Sequence, residues 1–236
     1  MQAPERNFAR HIAANSYPGR GLIIGRSADD GTWLMLYWIM GRSGHSRNRR
    51  LTIEGPVLRT EPVDRSRLDA PELIIYPAML ELSGIYIIAN GDQSQTIYDA
   101  LRNGGTFDDA LATREREPDA PNYTPRISGM LDLSGPPTVT LNILKANPVD
   151  PARTDRATYR PSPPPPGLGL CLTTYAGDGN PLPGFSGDPL AMPLAGGAEE
   201  VMRTYWNALD RENRIAIAVK RVAPDGSSEL TAINRY

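Results

Sequence analysis

The sequence predicts an α+β fold, a four-layer αββα sandwich in which two β-sheets stack between layers of helices. Many short segments rich in branched and aromatic residues are strung together by turns. Three of them, Thr32 to Met40, Ile85 to Ala89 and Ile215 to Val219, are apolar at nearly every position instead of alternating, so both of their faces need cover. Helical segments are few. Stacked sheets flanked by helices cover both faces of such strands better than an open barrel does.

The elements follow in order. Residues 1–16 read as an N-terminal arm ahead of one domain spanning 17–236. Gly21 to Arg26 is a short strand, and Asp29-Asp30-Gly31 turns it into Thr32 to Met40 as a hairpin. Further strands are predicted at Leu51 to Ile53, Val57 to Thr60, Glu72 to Tyr76, Arg126 to Leu133, Thr138 to Leu144, Leu168 to Tyr175 and Glu229 to Asn234. Gln93 to Arg102 is a helix stopped by Asn103-Gly104-Gly105. Thr106 caps the next, with Asp108 and Asp109 in its positive first turn. Ala198 to Asp210 is the third, with Val201, Tyr205, Ala208 and Leu209 on one stripe. The proline-rich stretch at 147–166 is expected to be an extended loop or insertion.

Composition removes several function classes. With 236 residues, 40% of them apolar, the chain can bury a sizeable core. The longest apolar run, Trp33 to Met40, falls far short of the ~20 residues a membrane span needs. The first residues carry Glu5, Arg6 and Arg10 with no apolar stretch of secretory length, so a cytoplasmic protein is expected, with no membrane partner. The single cysteine, Cys171, cannot close an intrachain disulfide, and with His11 and His45 it supplies too few ligands for a dedicated metal site. A net charge of −2 offers no field for nucleic acid. A homo-oligomer stays open. Of the two lysines, Lys145 and Lys220, the second ends an apolar strand and is the better candidate for a role.

Three polar clusters could carry chemistry. Gly41 to Arg50 follows the long apolar strand and holds Arg42, Arg47, Arg49 and Arg50, a candidate phosphate clamp because guanidinium meets phosphate through paired hydrogen bonds. A solvated polar loop accounts for the same letters. Ala89 to Thr96 links a buried strand to a helix, where free amides can face an anion and Gly91 permits close approach, or where a plain turn and cap suffice. Glu117 to Arg126 brings carboxylates, an amide, a hydroxyl and a guanidinium together. That set could move protons beside a polar heterocycle, or it could be a proline-fixed surface loop.

Taken in order, these clusters resemble the archaeal-type, folate-independent IMP cyclohydrolase family. The resemblance is carried by Tyr17-Pro18-Gly19-Arg20, Gly41-Arg42-Ser43 with Asn48-Arg49, Tyr76, Asn90-Gly91 with Thr96-Ile97, Asn122 with Thr124-Pro125-Arg126-Ile127, and Thr173-Thr174-Tyr175. The chain departs from the pattern by its arm, a longer Arg42 to Asn48 loop, Tyr123 ahead of Thr124 and the proline-rich stretch, and so looks like a diverged bacterial-type member. The resemblance implies a fold similar to N-terminal nucleophile hydrolases without autoprocessing, and Met1-Gln2 offers no terminal nucleophile. It implies closure of 5-formamidoimidazole-4-carboxamide ribonucleotide to IMP in purine biosynthesis, with no metal or cofactor.

On that resemblance, Glu117 or Asp119 is the expected proton acceptor, and Tyr76, Arg126 or Tyr175 the donor to the formyl oxygen. Arg20, Arg42 and Arg49, with Ser43 and Asn48, are expected at the phosphate, Asn90 and Gly91 at ribose or base, and Thr124 at the substrate. Two other readings are carried forward: a non-catalytic purine-nucleotide binding or regulatory protein on the same scaffold, and an amidohydrolase using Cys171.

Overall fold

The computed structural model describes residues 1–67 and 71–236. In chain order the strands are β1 (Gly21–Arg26), β2 (Trp33–Met40), β3 (Arg50–Glu54), β4 (Val57–Glu61), β5 (Tyr76–Leu82), β6 (Ile85–Ala89), β7 (Arg126–Asp132), β8 (Thr138–Ala146), β9 (Thr154–Tyr159), β10 (Leu168–Thr173), β11 (Leu190–Pro193), β12 (Arg214–Val222) and β13 (Ser228–Asn234). The helices are α1 (Ala3–Asn7), which continues in wider π-helical turns over Phe8–Ala13, α2 (Gly44–Arg47), α3 (Pro71–Ile74), α4 (Gln93–Arg102), α5 (Phe107–Ala112) and α6 (Ala198–Ala208).

Within the described residues the strands form two antiparallel sheets, one of six strands in the order β11-β10-β1-β2-β12-β13 and one of seven that runs β3 to β9 in sequence order. The fold is therefore mixed α+β. Side-chain alternation explains the uninterrupted apolar strands. Leu22, Ile24, Met35 and Tyr37 of the six-stranded sheet point into one core with Met79, Ile88, Leu131 and Leu141 of the seven-stranded sheet. Their neighbours Ile23, Leu34, Leu36 and Trp38 face the other way, onto Ile12, Val201, Met202 and Tyr205 of the arm and α6. On the far side of the seven-stranded sheet, Leu80, Ile87 and Leu144 pack on Ile97, Phe107 and Leu111 of α4 and α5. Each fully buried side chain of this kind contributes about 1.5–3 kcal/mol, so both faces of β2 stabilise the fold.

The Gly21 to Arg26 and Trp33 to Met40 hairpin forms with Ile24 opposite Met35. Thr106 caps α5 in a reciprocal box with Asp109. Two expectations need correction. Glu72 to Tyr76 is not a strand: α3 occupies Pro71–Ile74, and the strand begins at Tyr76, because Pro71 suits the first turn of a helix. The 147–166 stretch is not loop throughout. Its proline-free interior Thr154–Tyr159 pairs with β8 as the sheet's outer strand, with Ala157 opposite Ile143. The arm is helical and docked, with Ile12 fully buried. Lys220 is buried as well. Its ammonium donates to Glu81 at 2.5 Å and to the Pro56 carbonyl at 2.7 Å, an ion pair that ties β12 of one sheet to β5 of the other. Among the described residues no helix is long and apolar enough to cross a membrane.

Candidate active site

A cleft of about 480 Å³ opens where segments leave the sheets before β1, after β2, before β7 and after β10. Into it come Tyr17, Gly19 and Arg20 from the first segment, Met40, Arg42, Ser43, Ser46 and Arg49 from the second, Glu117, Asp119, Asn122 and Thr124 from the third, and Tyr175 and Leu182 from the fourth.

The buried wall is an ion pair. Arg20 meets Glu117 in a two-pronged contact, Nη1 to Oε1 at 3.0 Å and Nη2 to Oε2 at 3.1 Å, with both side chains nearly removed from solvent. Burial is the largest influence and works against the Arg20 charge, but Glu117 together with Tyr76 and Tyr37 more than offsets it, holding the guanidinium well above its ordinary value. The turn that aims Arg20 needs Gly19, whose φ is +74° and whose absent Cβ would sit 2.2 Å from the Thr174 hydroxyl. Arg20 Nη1 also donates to the Asn90 carbonyl at 3.2 Å.

A chain of hydroxyls lines a second wall. Thr124 donates its hydroxyl proton to Asp119 Oδ2 at 2.5 Å, and its backbone N–H donates to Oδ1 at 2.7 Å. A threonine hydroxyl has one hydrogen, so the 2.5 Å contact with Tyr175 is one in which the phenol donates and Thr124 accepts. Burial, above all, pushes the Tyr175 phenol up, so it stays protonated. Its ring stacks on Tyr17 at 5.8 Å between centroids, and burial likewise raises the Tyr17 phenol, partly countered by Arg20, Arg49 and Arg42. Tyr123, at φ +44°, makes the strained turn that lets Thr124 double back on Asp119.

The mouth is basic. Arg42 lies 5.0 Å over the Tyr17 ring, pairs with Asp178 and donates to the Gly179 carbonyl at 3.0 Å. Arg49 has no carboxylate partner among the described residues, and its Nε is buried without a hydrogen bond. Ser43 lines the cleft while capping α2 through Ser46.

The structure thus brings together Arg20, Arg42, Ser43, Arg49, Glu117, Asp119, Thr124 and Tyr175. The other expected residues lie outside the cleft lining. Tyr76 is buried between the sheets, 2.7 Å from the Tyr37 hydroxyl. Arg126 donates to Asp92 at 2.6 Å and to Gln93 at 2.8 Å, and Gly91 is glycine because a Cβ there would meet Arg126 at 2.5 Å. Asn90 braces the Pro125 carbonyl and the Ile127 amide, supporting the strand rather than opening onto a ligand. Asn48 fastens both backbone groups of Asp64 at 2.8 Å. In these four cases a polar side chain of a motif is consumed by hydrogen bonds within the protein that the sequence does not reveal. Conversely, Ser46, Leu182 and Asp178 reach the site without a role having been assigned to them. Asp178-Gly179-Asn180-Pro181 announces a turn, but nothing in the letters joins that turn to Arg42. Cys171 lies fully buried in β10, where burial raises its thiol pKa, the reverse of what a nucleophile requires.

Comparison with known proteins bears on this geometry. The sequence pattern of the family described as IMP cyclohydrolase-like protein matches residues 17–226. The chain belongs to that family. The IMP cyclohydrolase-like match starts at Tyr17, the first residue to line the cleft, and includes every other lining residue; the arm lies before it. The chain is also 31% identical over 121 residues to a protein named IMP cyclohydrolase from Methanothrix thermoacetophila, a stretch covering 49% of this chain and 57% of that relative. The matched stretch therefore spans just over half the length of this IMP cyclohydrolase.

Proposed function

We propose that the chain is a cytoplasmic IMP cyclohydrolase of purine biosynthesis, closing 5-formamidoimidazole-4-carboxamide ribonucleotide to IMP with loss of water, on a four-layer αββα sandwich similar to N-terminal nucleophile hydrolases. The observation that carries the reading is the convergence in one nucleotide-sized cleft of a guanidinium with no carboxylate partner among the described residues, a buried Arg–Glu fork and a carboxylate-terminated hydroxyl chain. The family match supports it.

Ring closure joins the carboxamide nitrogen to the formyl carbon within one molecule. No enzyme nucleophile is needed, and holding the two groups together can supply roughly 7–11 kcal/mol. A neutral amide is a poor nucleophile, so its proton must leave as the N–C bond forms. Tyr175 accepts that proton while its own passes to Thr124 and the Thr124 proton passes to Asp119. The same chain returns the proton to the formyl oxygen. The second proton of the departing water comes from the formamide N–H, whose electron pair closes the ring C=N bond as the C–O bond breaks. Glu117, engaged on both oxygens by Arg20, keeps that guanidinium charged beside the growing oxyanion. Arg49 takes the phosphate, with Arg42 joining it by exchanging Asp178 for the ligand.

The test is an ultraviolet absorbance assay of purified protein with the formamido nucleotide, run beside an IMP titration. IMP formation is the expected result. Tight IMP binding without turnover would replace the enzyme by a nucleotide-binding protein. Wild-type turnover in both Glu117→Gln and Asp119→Asn would remove the carboxylates from the mechanism.

A further inference from the structure

The arm at 1–16 precedes the family match, yet it reaches the wall of the cleft. Apolar contacts already dock it: Ile12 is fully buried, and the Phe8 ring meets Tyr205 edge-on at 5.1 Å. Its polar side chains do something more local. The Thr173 hydroxyl donates to the Tyr175 carbonyl at 2.9 Å. Having no second hydrogen, it must accept from His11 Nε2, also at 2.9 Å, which fixes the imidazole as the Nε2–H tautomer. Asn15 Nδ2 donates to the Ala176 carbonyl at 3.1 Å, while Asn15 Oδ1 accepts the Tyr17 amide at 3.0 Å. The two backbones that carry the stacked Tyr17 and Tyr175 rings are therefore joined through one arm residue.

We propose that the arm is a positioning element of the cleft, in which His11 and Asn15 hold the 173–176 segment so that the Tyr175 phenol stays in line with Thr124. Neither residue lines the cleft, so each acts through Tyr175. The proposal rests on the cyclohydrolase reading for its consequence in turnover, but the backbone effect is independent of it. Two hydrogen bonds in series onto the Tyr175 carbonyl, with a third onto that of Ala176, set this segment more sharply than apolar contact, because each donor has a preferred direction. Moving a reacting group by about 1 Å costs on the order of 100-fold in rate.

The experiment compares full-length wild type, His11→Ala, His11→Gln and Asn15→Ala by steady-state kinetics and by hydrogen exchange at the Tyr175 amide, which bonds to the Pro18 carbonyl at 3.2 Å. His11→Ala should lower kcat about 10- to 100-fold with KM little changed, and exchange at Tyr175 should quicken. Gln places an N–H close to the imidazole Nε2, so His11→Gln should restore both. Unchanged kcat and unchanged exchange in His11→Ala and Asn15→Ala would overturn the proposal, as would equal loss of kcat in His11→Ala and His11→Gln. If wild type itself shows no turnover, the cyclohydrolase reading fails, and the exchange data alone decide whether the arm sets this segment.

Discussion

At the scale of single residues the cleft sorts its charges by what each already holds. Arg20 is bound to Glu117 and Arg42 to Asp178, whereas Arg49 has no carboxylate among the described residues, so Arg49 should matter most for phosphate. Arg49→Ala should weaken IMP affinity about 10- to 100-fold, the range of one charge-assisted hydrogen bond, and Arg42→Ala less, because ligand binding there first breaks an ion pair. Calorimetric titration gives the ranking; equal effects would refute it. Thr124 separates relay from scaffold. Thr124→Val removes the hydroxyl that joins Tyr175 to Asp119 and should lower kcat by about 100-fold, while Thr124→Ser keeps it near wild type. A normal kcat in the valine variant would mean that Asp119 works without the chain. That Arg20, Glu117 and Arg49 line one cleft was within reach of the sequence because they stand in its ordered motifs and polar clusters. Asn48, Asn90 and Gly91 stand in motifs too, yet their hydrogen bonds and close contacts are to the protein's own backbone and to Arg126.

At the scale of elements, the strands of continuous apolar letters and the capped helix at Thr106 were legible, because alternation, capping and burial act over a few neighbouring residues. The helical arm and the edge strand Thr154–Tyr159 were not. The first is short and weakly patterned, and takes its stability from Tyr205 and Met202 on α6; the second takes its conformation from β8. The arm's docking carries a pH signature. Burial foremost, with Arg10 beside it, holds His11 below its ordinary 6.5. The unfolded chain then binds a proton just below pH 6.5 that the folded chain does not, so this contribution is whole above pH 6.5 and is lost as pH falls through the folded pKa. Urea unfolding of His11→Gln should show a flatter stability curve on the acid side of pH 6.5 than wild type. Parallel curves would show that His11 is not coupled to folding.

At the scale of the whole molecule, two sheets must approach closely enough to share a core. Gly129 in β7 marks one such place: a Cβ there would lie 2.8 Å from Ile24 of the opposite sheet. Gly129→Val should destabilise the protein by about 1–3 kcal/mol through overpacking, read as a lower urea midpoint at constant slope, and an unchanged midpoint would contradict that contact. The paired Lys220 and Glu81 join the same two sheets, a use for the lysine that its position at the end of an apolar strand did not disclose. What the sequence determined by itself is local and periodic: which strands bury both faces, the cap at Thr106, and which ordered polar motifs accompany them. What only the tertiary structure decided is which polar groups meet. Arg42 and Asp178, His11 and Thr173, and Thr124 and Tyr175 lie far apart in the chain, and each partnership exists because stacked sheets bring distant loops to one end. A hydrogen bond requires an approach of about 3 Å, and spacing along a chain carries no information about that distance once the loops have folded past one another.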